Sequence, residues 1–145
     1  MSITLVPERM RISADRYQQM IVAGVLTKYD RVELIDGDMI NMAPIGVSHS
    51  AVTARLTKLF VLSAGDLAIV SPAGSIKLGD FSVAQPDFML LKPREDFYSR
   101  QIPVPQDALL LVEVSDSSLA FDQGIKRSLY GRYGVAGRAR GAILG

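Results

Sequence analysis

Hydrophobic positions recur along this chain with two different periods, and each period predicts an element. Tyr17, Met20 and Ile21 follow the three-to-four-residue spacing of a helix face; Ser13 is placed to cap its first turn and Gly24 to stop it. The spacing predicts a helix from Ser13 to about Ala23. A second helix is predicted from a Ser48 cap to about Ala64, burying Val52, Leu56, Leu59 and Phe60. Between the two, Arg31–Ile35 and Asp38–Met42 flank Asp36-Gly37. An Asp-Gly pair supplies the positive φ of a type I′ turn, so this stretch predicts a β-hairpin. Short strands are expected at Leu67–Ser71 and Ser75–Leu78. Two continuous apolar runs, Phe88-Met89-Leu90-Leu91 and Ala108-Leu109-Leu110-Leu111-Val112, have the length of buried strands, the second continuing to Val114. The polar stretch Lys92–Asp107 holds Pro93, Pro103 and Pro105 and reads as a loop. A last helix is predicted from about Asp122 through Tyr133, ended by Gly134.

This order predicts an α/β (α+β) fold with a central, mostly antiparallel or mixed sheet flanked by helices. The length of 145 residues suits one domain with a proper core, and a hydrophobic fraction of 48% argues for a globular chain. No apolar run reaches the roughly 20 residues of a membrane-spanning helix, so no membrane association is expected. The first residues lack the basic flank and apolar centre of a secretory signal. Cysteine is absent, which excludes disulfides and thiolate metal sites and is compatible with a cytoplasmic location. The net charge of +1 is too balanced to announce nucleic-acid binding by itself. From Gly124 onward, however, Lys126, Arg127, Arg132, Arg138 and Arg140 face no acidic residue in sequence. That is either a phosphate-facing stripe or a solvated helix face with a basic tail, and the residues alone favour the second.

Three residues stand out for chemistry. Asp87 opens one apolar run and Glu113 closes the other. Acids there are costly unless something pairs with them, and a hard divalent cation would pair with both. If the two strands are neighbours, the carboxylates converge. Ser115 would face the same side of the strand as Glu113 by the period-2 rule. Lys126, on the following helix, can reach back to orient water or stabilise phosphate charge. The alternative is a pair of strand-end acids that simply face water. Glu33 is a third acid, inside the Arg31–Ile35 strand, and residue pattern alone favours an ion pair for it. His49 is the only histidine, beside the Ser48 position, where a structural hydrogen bond is the ordinary role. No Gly-x-Ser-x-Gly elbow surrounds Ser115, Ser117 or Ser118, and no glycine-rich phosphate loop is present. The acids alone would also suit a glycosidase.

Taken in order, these pieces resemble the Uma2 family of restriction-endonuclease-like proteins, part of the PD-(D/E)XK nuclease superfamily. The resemblance is carried by Arg31-Val32-Glu33-Leu34-Ile35-Asp36-Gly37, by His49 leading a helix, and by Pro86-Asp87. It continues in Leu111-Val112-Glu113-Val114-Ser115-Asp116-Ser117-Ser118, then in Asp122, Lys126, Tyr130 and Gly134-Val135. It implies a mixed sheet flanked by helices and a Mg²⁺- or Mn²⁺-dependent phosphodiesterase site. Asp87 and Glu113 would be the metal ligands, Glu33 an auxiliary acid and Lys126 the catalytic lysine. Ser115 stands where the superfamily motif usually has that lysine, a departure that Lys126 would make good. His49 matches a family position without an assigned role.

The resemblance implies a DNA endonuclease in which metal-activated water attacks a phosphodiester; the alternative is a catalytically inactive remnant or nucleic-acid-binding module. DNA is the expected partner, a membrane is not, and a homodimer is left open. Residues 1–135 form the family-like domain, and residues 136–145 form an atypical tail. Family members continue past the Gly-Val position with a Pro-Glu turn and a strand holding a tryptophan and an aspartate. This chain reads Ala136-Gly137-Arg138-Ala139-Arg140 instead, has no tryptophan, and shows no strand pattern there. The expectation is a truncated or frameshifted ending that bares a sheet edge, with lower stability or partner dependence.

Overall fold

The computed structural model describes residues 5–114, 120–135 and 138–139. Helix α1 (Ala14–Val22) starts as the residues predict, with the Ser13 hydroxyl accepting from the Arg16 N–H at 3.2 Å. Ala14 and Tyr17 are buried beneath it, whereas Ile21 lies past the edge of the core and is 42% exposed. Strands β1 (Val32–Ile35) and β2 (Asp38–Asn41) form the expected hairpin, with Val32 opposite Asn41 and Ile35 opposite Asp38. Asp36 and Gly37 take φ of 50° and 85°, the two positive values of a type I′ turn.

Helix α2 (Val47–Ala64) starts two residues earlier than expected, from a Gly46 cap, so Ser48 is not its cap. Of the four residues expected beneath α2 only Val52 is buried, and Leu59 is 56% exposed. Apolar residues encircle this helix rather than forming one stripe, so packing one side must leave others in water. The side that packs meets β3 (Ile69–Pro72).

Next come β4 (Ile76–Lys77), β5 (Val83–Ala84), β6 (Phe88–Leu91) and β7 (Ala108–Val112), then α3 (Ala120–Arg132) and β8 (Arg138–Ala139). The strands form two four-stranded sheets, ordered β2-β1-β5-β4 and β3-β6-β7-β8, rather than one central sheet. The chain passes from one sheet to the other through Gln85-Pro86-Asp87, between β5 and β6. Pro86 has no N–H to give a ladder, so pairing cannot run through that junction. Pairing is antiparallel except between β7 and β8, where Leu111 and Val112 lie beside Arg138 and Ala139 in parallel. The tail therefore does supply a short strand to the β7 edge, contrary to its residue pattern. Two backbone pairings need no apolar alternation.

Alternation along β1 separates two core clusters. Leu34 packs with Ala14, Tyr17 and Val83, and Ile35 packs with Ile76, Met89, Leu111, Leu129 and Tyr130. Glu33, two residues from Ile35, therefore belongs to the side on which α3 lies. Lys126, Leu129 and Tyr130 share one buried face of α3 by their spacing of three and four. No described helix is long and apolar enough to cross a membrane.

Candidate active site

The junction between the sheets collects all four expected site residues. Glu33 is 1% exposed, and its Oε1 accepts the Gln85 N–H. A carboxylate so placed needs a cation, which Lys126 supplies from α3: its Nζ lies 3.1 Å from Glu33 Oε1. The same ammonium lies 2.7 Å from Glu113 Oε1 and donates to the Gln85 carbonyl at 3.1 Å. An ammonium carries three protons, and here three acceptors meet it.

Strands β6 and β7 are antiparallel neighbours, with Phe88 opposite Val112. The next residues outward, Asp87 and Glu113, therefore come to the same end of the ladder, as their positions at the ends of the two runs predict. Asp87 Oδ2 accepts the Val114 N–H at 2.5 Å, and its Oδ1 lies 3.0 Å from His49 Nε2. Glu113 Oε1 accepts the Tyr130 hydroxyl at 2.5 Å. Both acids are thus held from fixed directions, Asp87 by the backbone just past β7 and by α2, Glu113 by α3.

Burial governs the protonation of this group. It pushes the Glu113 carboxyl up to about 7; Lys126 opposes that rise and Asp87 adds to it. Burial acts to lower the Lys126 ammonium, but Glu113 and then Glu33 outweigh it and hold it above its ordinary value. Burial, then the neighbouring Glu113, raises the Tyr130 phenol well above its ordinary value, so it stays a donor.

Sequence reasoning left three parts of this arrangement without a stated role or partner. The Gln85 peptide serves Glu33 with its N–H and Lys126 with its carbonyl, which no side-chain pattern can announce. Tyr130, four residues after Lys126 on one helix face, carried a signal in that spacing. His49 gains the partner it lacked in sequence, Asp87. Ser115 lies with residues 116–119 outside the described residues.

Among the described residues no group of three or more His, Cys, Asp or Glu side chains could hold a metal ion. Of the acids expected to hold a metal, Asp87 and Glu113 come to the same end of the β6–β7 ladder. In kind and number the pair fits Mg²⁺, which often takes one or two carboxylates and completes its shell with water and phosphate oxygens.

A structure described as a putative nuclease belonging to DUF820, from Anabaena variabilis, is similar to this fold with a TM-score of 0.62 at 16% identity. The match covers 82% of this chain and 66% of that one, so this chain spans about two thirds of that nuclease's length. No curated protein matches the chain. The model of the Uma2 family, described as "Putative restriction endonuclease", matches residues 14–137. That match begins at the first residue of α1 and encloses Glu33, Asp87, Glu113 and Lys126, and the chain belongs to the Uma2 family.

Proposed function

We propose that this chain is a metal-dependent endonuclease that hydrolyses DNA phosphodiester bonds. The observation that supports the reading is the carboxylate pair Asp87 and Glu113 at one end of the β6–β7 ladder, backed by the buried Lys126 ammonium. Asp87 and Glu113 would hold Mg²⁺ or Mn²⁺, which when bound activates water and neutralises charge on the phosphoryl oxygens. The chain's own residues orient that pair. The Val114 N–H and His49 fix the Asp87 carboxylate, and Tyr130 and Lys126 fix that of Glu113. Glu33 compensates the Lys126 charge and, with the Gln85 carbonyl, fixes the direction of the ammonium. For Lys126 to touch a phosphate, one of its three acceptors must let go. Glu113 is the acceptor that would be drawn toward a cation.

The test is cleavage of supercoiled plasmid in Mg²⁺, in Mn²⁺ and in a chelator. Cleavage should need the cation and should disappear in Asp87→Ala and in Glu113→Ala. Turnover that survives both substitutions sinks the assignment. A second reading, a non-catalytic nucleic-acid-binding module, is favoured by the full engagement of Lys126 with its three acceptors. It predicts salt-sensitive DNA binding without turnover and without Mg²⁺ dependence.

A further inference from the structure

Beside the carboxylate pair a cleft of about 560 Å³ opens between α2 and the segments 72–73 and 85–87. Arg31, His49, Thr53, Lys58 and Asp87 stand in its wall. Two side chains of that wall each bury a polar atom, His49 Nδ1 and Thr53 Oγ1, that has no hydrogen-bond partner among the described residues. Folded proteins seldom leave such atoms unpaired. The two residues are four apart on α2 and so share one face of the helix. His49 directs its other nitrogen at Asp87, 3.0 Å away, so Nδ1 is its one uncommitted nitrogen. The neighbouring hydroxyl of Thr57 is already committed to the Thr53 carbonyl at 2.7 Å, so it does not satisfy Thr53 Oγ1.

Charge and shape narrow the ligand. Arg31 is anchored by its Nη1, which donates to the Ala43 carbonyl at 2.6 Å, so it is a fixed cation. Lys58 is a second cation, exposed on α2. Ile45, Pro72 and Pro86 give the cleft apolar walls. Two cations, two unpaired polar atoms and an apolar lining suit a ligand that has a phosphate, hydrogen-bonding edges and a flat apolar face. The volume falls within the range of about 300–1,000 Å³ typical of small-ligand pockets.

We propose that this cleft is a subsite for one unpaired nucleotide of the substrate strand, its phosphate at Arg31 and Lys58 and its polar edge at Thr53 and His49. The inference deepens, and rests on, the reading of Asp87 and Glu113 as a phosphodiesterase site. A base inside a duplex is stacked and paired, so only a nucleotide in a single strand, or one turned out of the stack, can enter such a cleft. The chain therefore selects single-stranded or frayed nucleic acid over intact duplex.

The test is fluorescence anisotropy on the full chain in a chelator, where no turnover interferes. The probes are a labelled single strand of about 12 nucleotides, within the span of known single-strand sites, and the same sequence as a duplex. The single strand should bind about tenfold more tightly than the duplex, as expected when unpairing must precede entry. Thr53→Val keeps the shape and removes the hydroxyl, and Lys58→Ala removes an exposed charge. Each should weaken single-strand binding about fivefold, the effect of one lost hydrogen bond or phosphate contact. Equal affinity for strand and duplex overturns the proposal. So does strand binding that either substitution leaves unchanged, which is the result expected if water alone bridges the two unpaired atoms. Asp87-dependent plasmid cleavage without the single-strand preference overturns the subsite alone. A single-strand preference in a chain that, with Mg²⁺ or Mn²⁺ added, cleaves neither plasmid nor the single strand overturns the phosphodiesterase reading instead.

Discussion

Replacing Glu113 by glutamine removes one ionisable group from the buried cluster and keeps an oxygen for Lys126 and Tyr130 to donate to. With Glu113 protonated, the Lys126 ammonium and the Glu33 carboxylate balance each other. Ionising Glu113 sets a second buried negative charge against that single cation. This is the physical content of a carboxyl raised, mainly by burial, to about 7. The folded value lies above the unfolded one, so the stabilisation is complete below the unfolded pKa. It fades as pH rises through the folded value. The gap between the ordinary 4.5 and about 7 corresponds to about 3 kcal/mol, at roughly 1.4 kcal/mol per pH unit. Urea unfolding of the wild type and of Glu113→Gln, at about pH 5 and about pH 8 in a chelator, reads the difference directly. The variant should differ from the wild type by under about 1 kcal/mol at the lower pH and be more stable by about 3 kcal/mol at the higher. A difference that does not change with pH, or a wild type that gains on the variant as pH rises, refutes the reasoning.

Other substitutions probe neighbouring parts of the same argument. Lys126→Met leaves Glu33 and Glu113 buried without a cation and should cost about 3–5 kcal/mol of stability by urea titration; adding Glu33→Gln should recover part of the loss. Calorimetric titration with Mn²⁺ should give binding to the wild type that is lost in Asp87→Ala, and equal affinities would remove Asp87 from the metal site. Gly79 has φ +73°, and a Cβ there would lie 2.2 Å from the Tyr133 hydroxyl beyond the end of α3. Gly79→Ala should therefore lower stability by about 1–3 kcal/mol, and an unchanged thermal midpoint would show that the turn does not need this conformation.

Elements set by local chemistry were legible. The Ser13 cap and the Asp36-Gly37 turn each act within a few residues, and both stand where the pattern places them. The two apolar runs became the paired strands β6 and β7 because continuous burial leaves few alternatives to a central strand. Elements set by the rest of the molecule were not legible. Leu59 has the character of a core residue, yet its exposure depends on which side of an evenly apolar helix meets the sheet. Strands β5 and β8 are two residues each, too short to show alternation. The division into two sheets is a matter of which strands pair, and at one crossing between them Pro86 also looks like the ordinary opening of a strand.

The candidate site divides along the same line, between what an apolar neighbourhood makes conspicuous and what only folding brings close. Asp87 and Glu113 could be picked out because acids at the ends of buried strands are costly. Their meeting then follows from a single strand pairing. Glu33 and Lys126 are different, since one lies in a hairpin of the other sheet and the other on the helix α3. No spacing rule relates them, and family resemblance rather than residue pattern raised them together. Once the fold is known, the physics of the pair is compelling. Glu33 is sealed against Ile35's side of β1, and the buried face of α3 carries Lys126 there with Leu129 and Tyr130. An acid that cannot reach water and a lysine that cannot snorkel from its helix face must satisfy each other. The second carboxylate at Lys126 is what this pairing leaves over. Glu113 shares a cation that Glu33 already claims, and the Lys126 ammonium offsets only part of the burial that pushes the Glu113 carboxyl up to about 7.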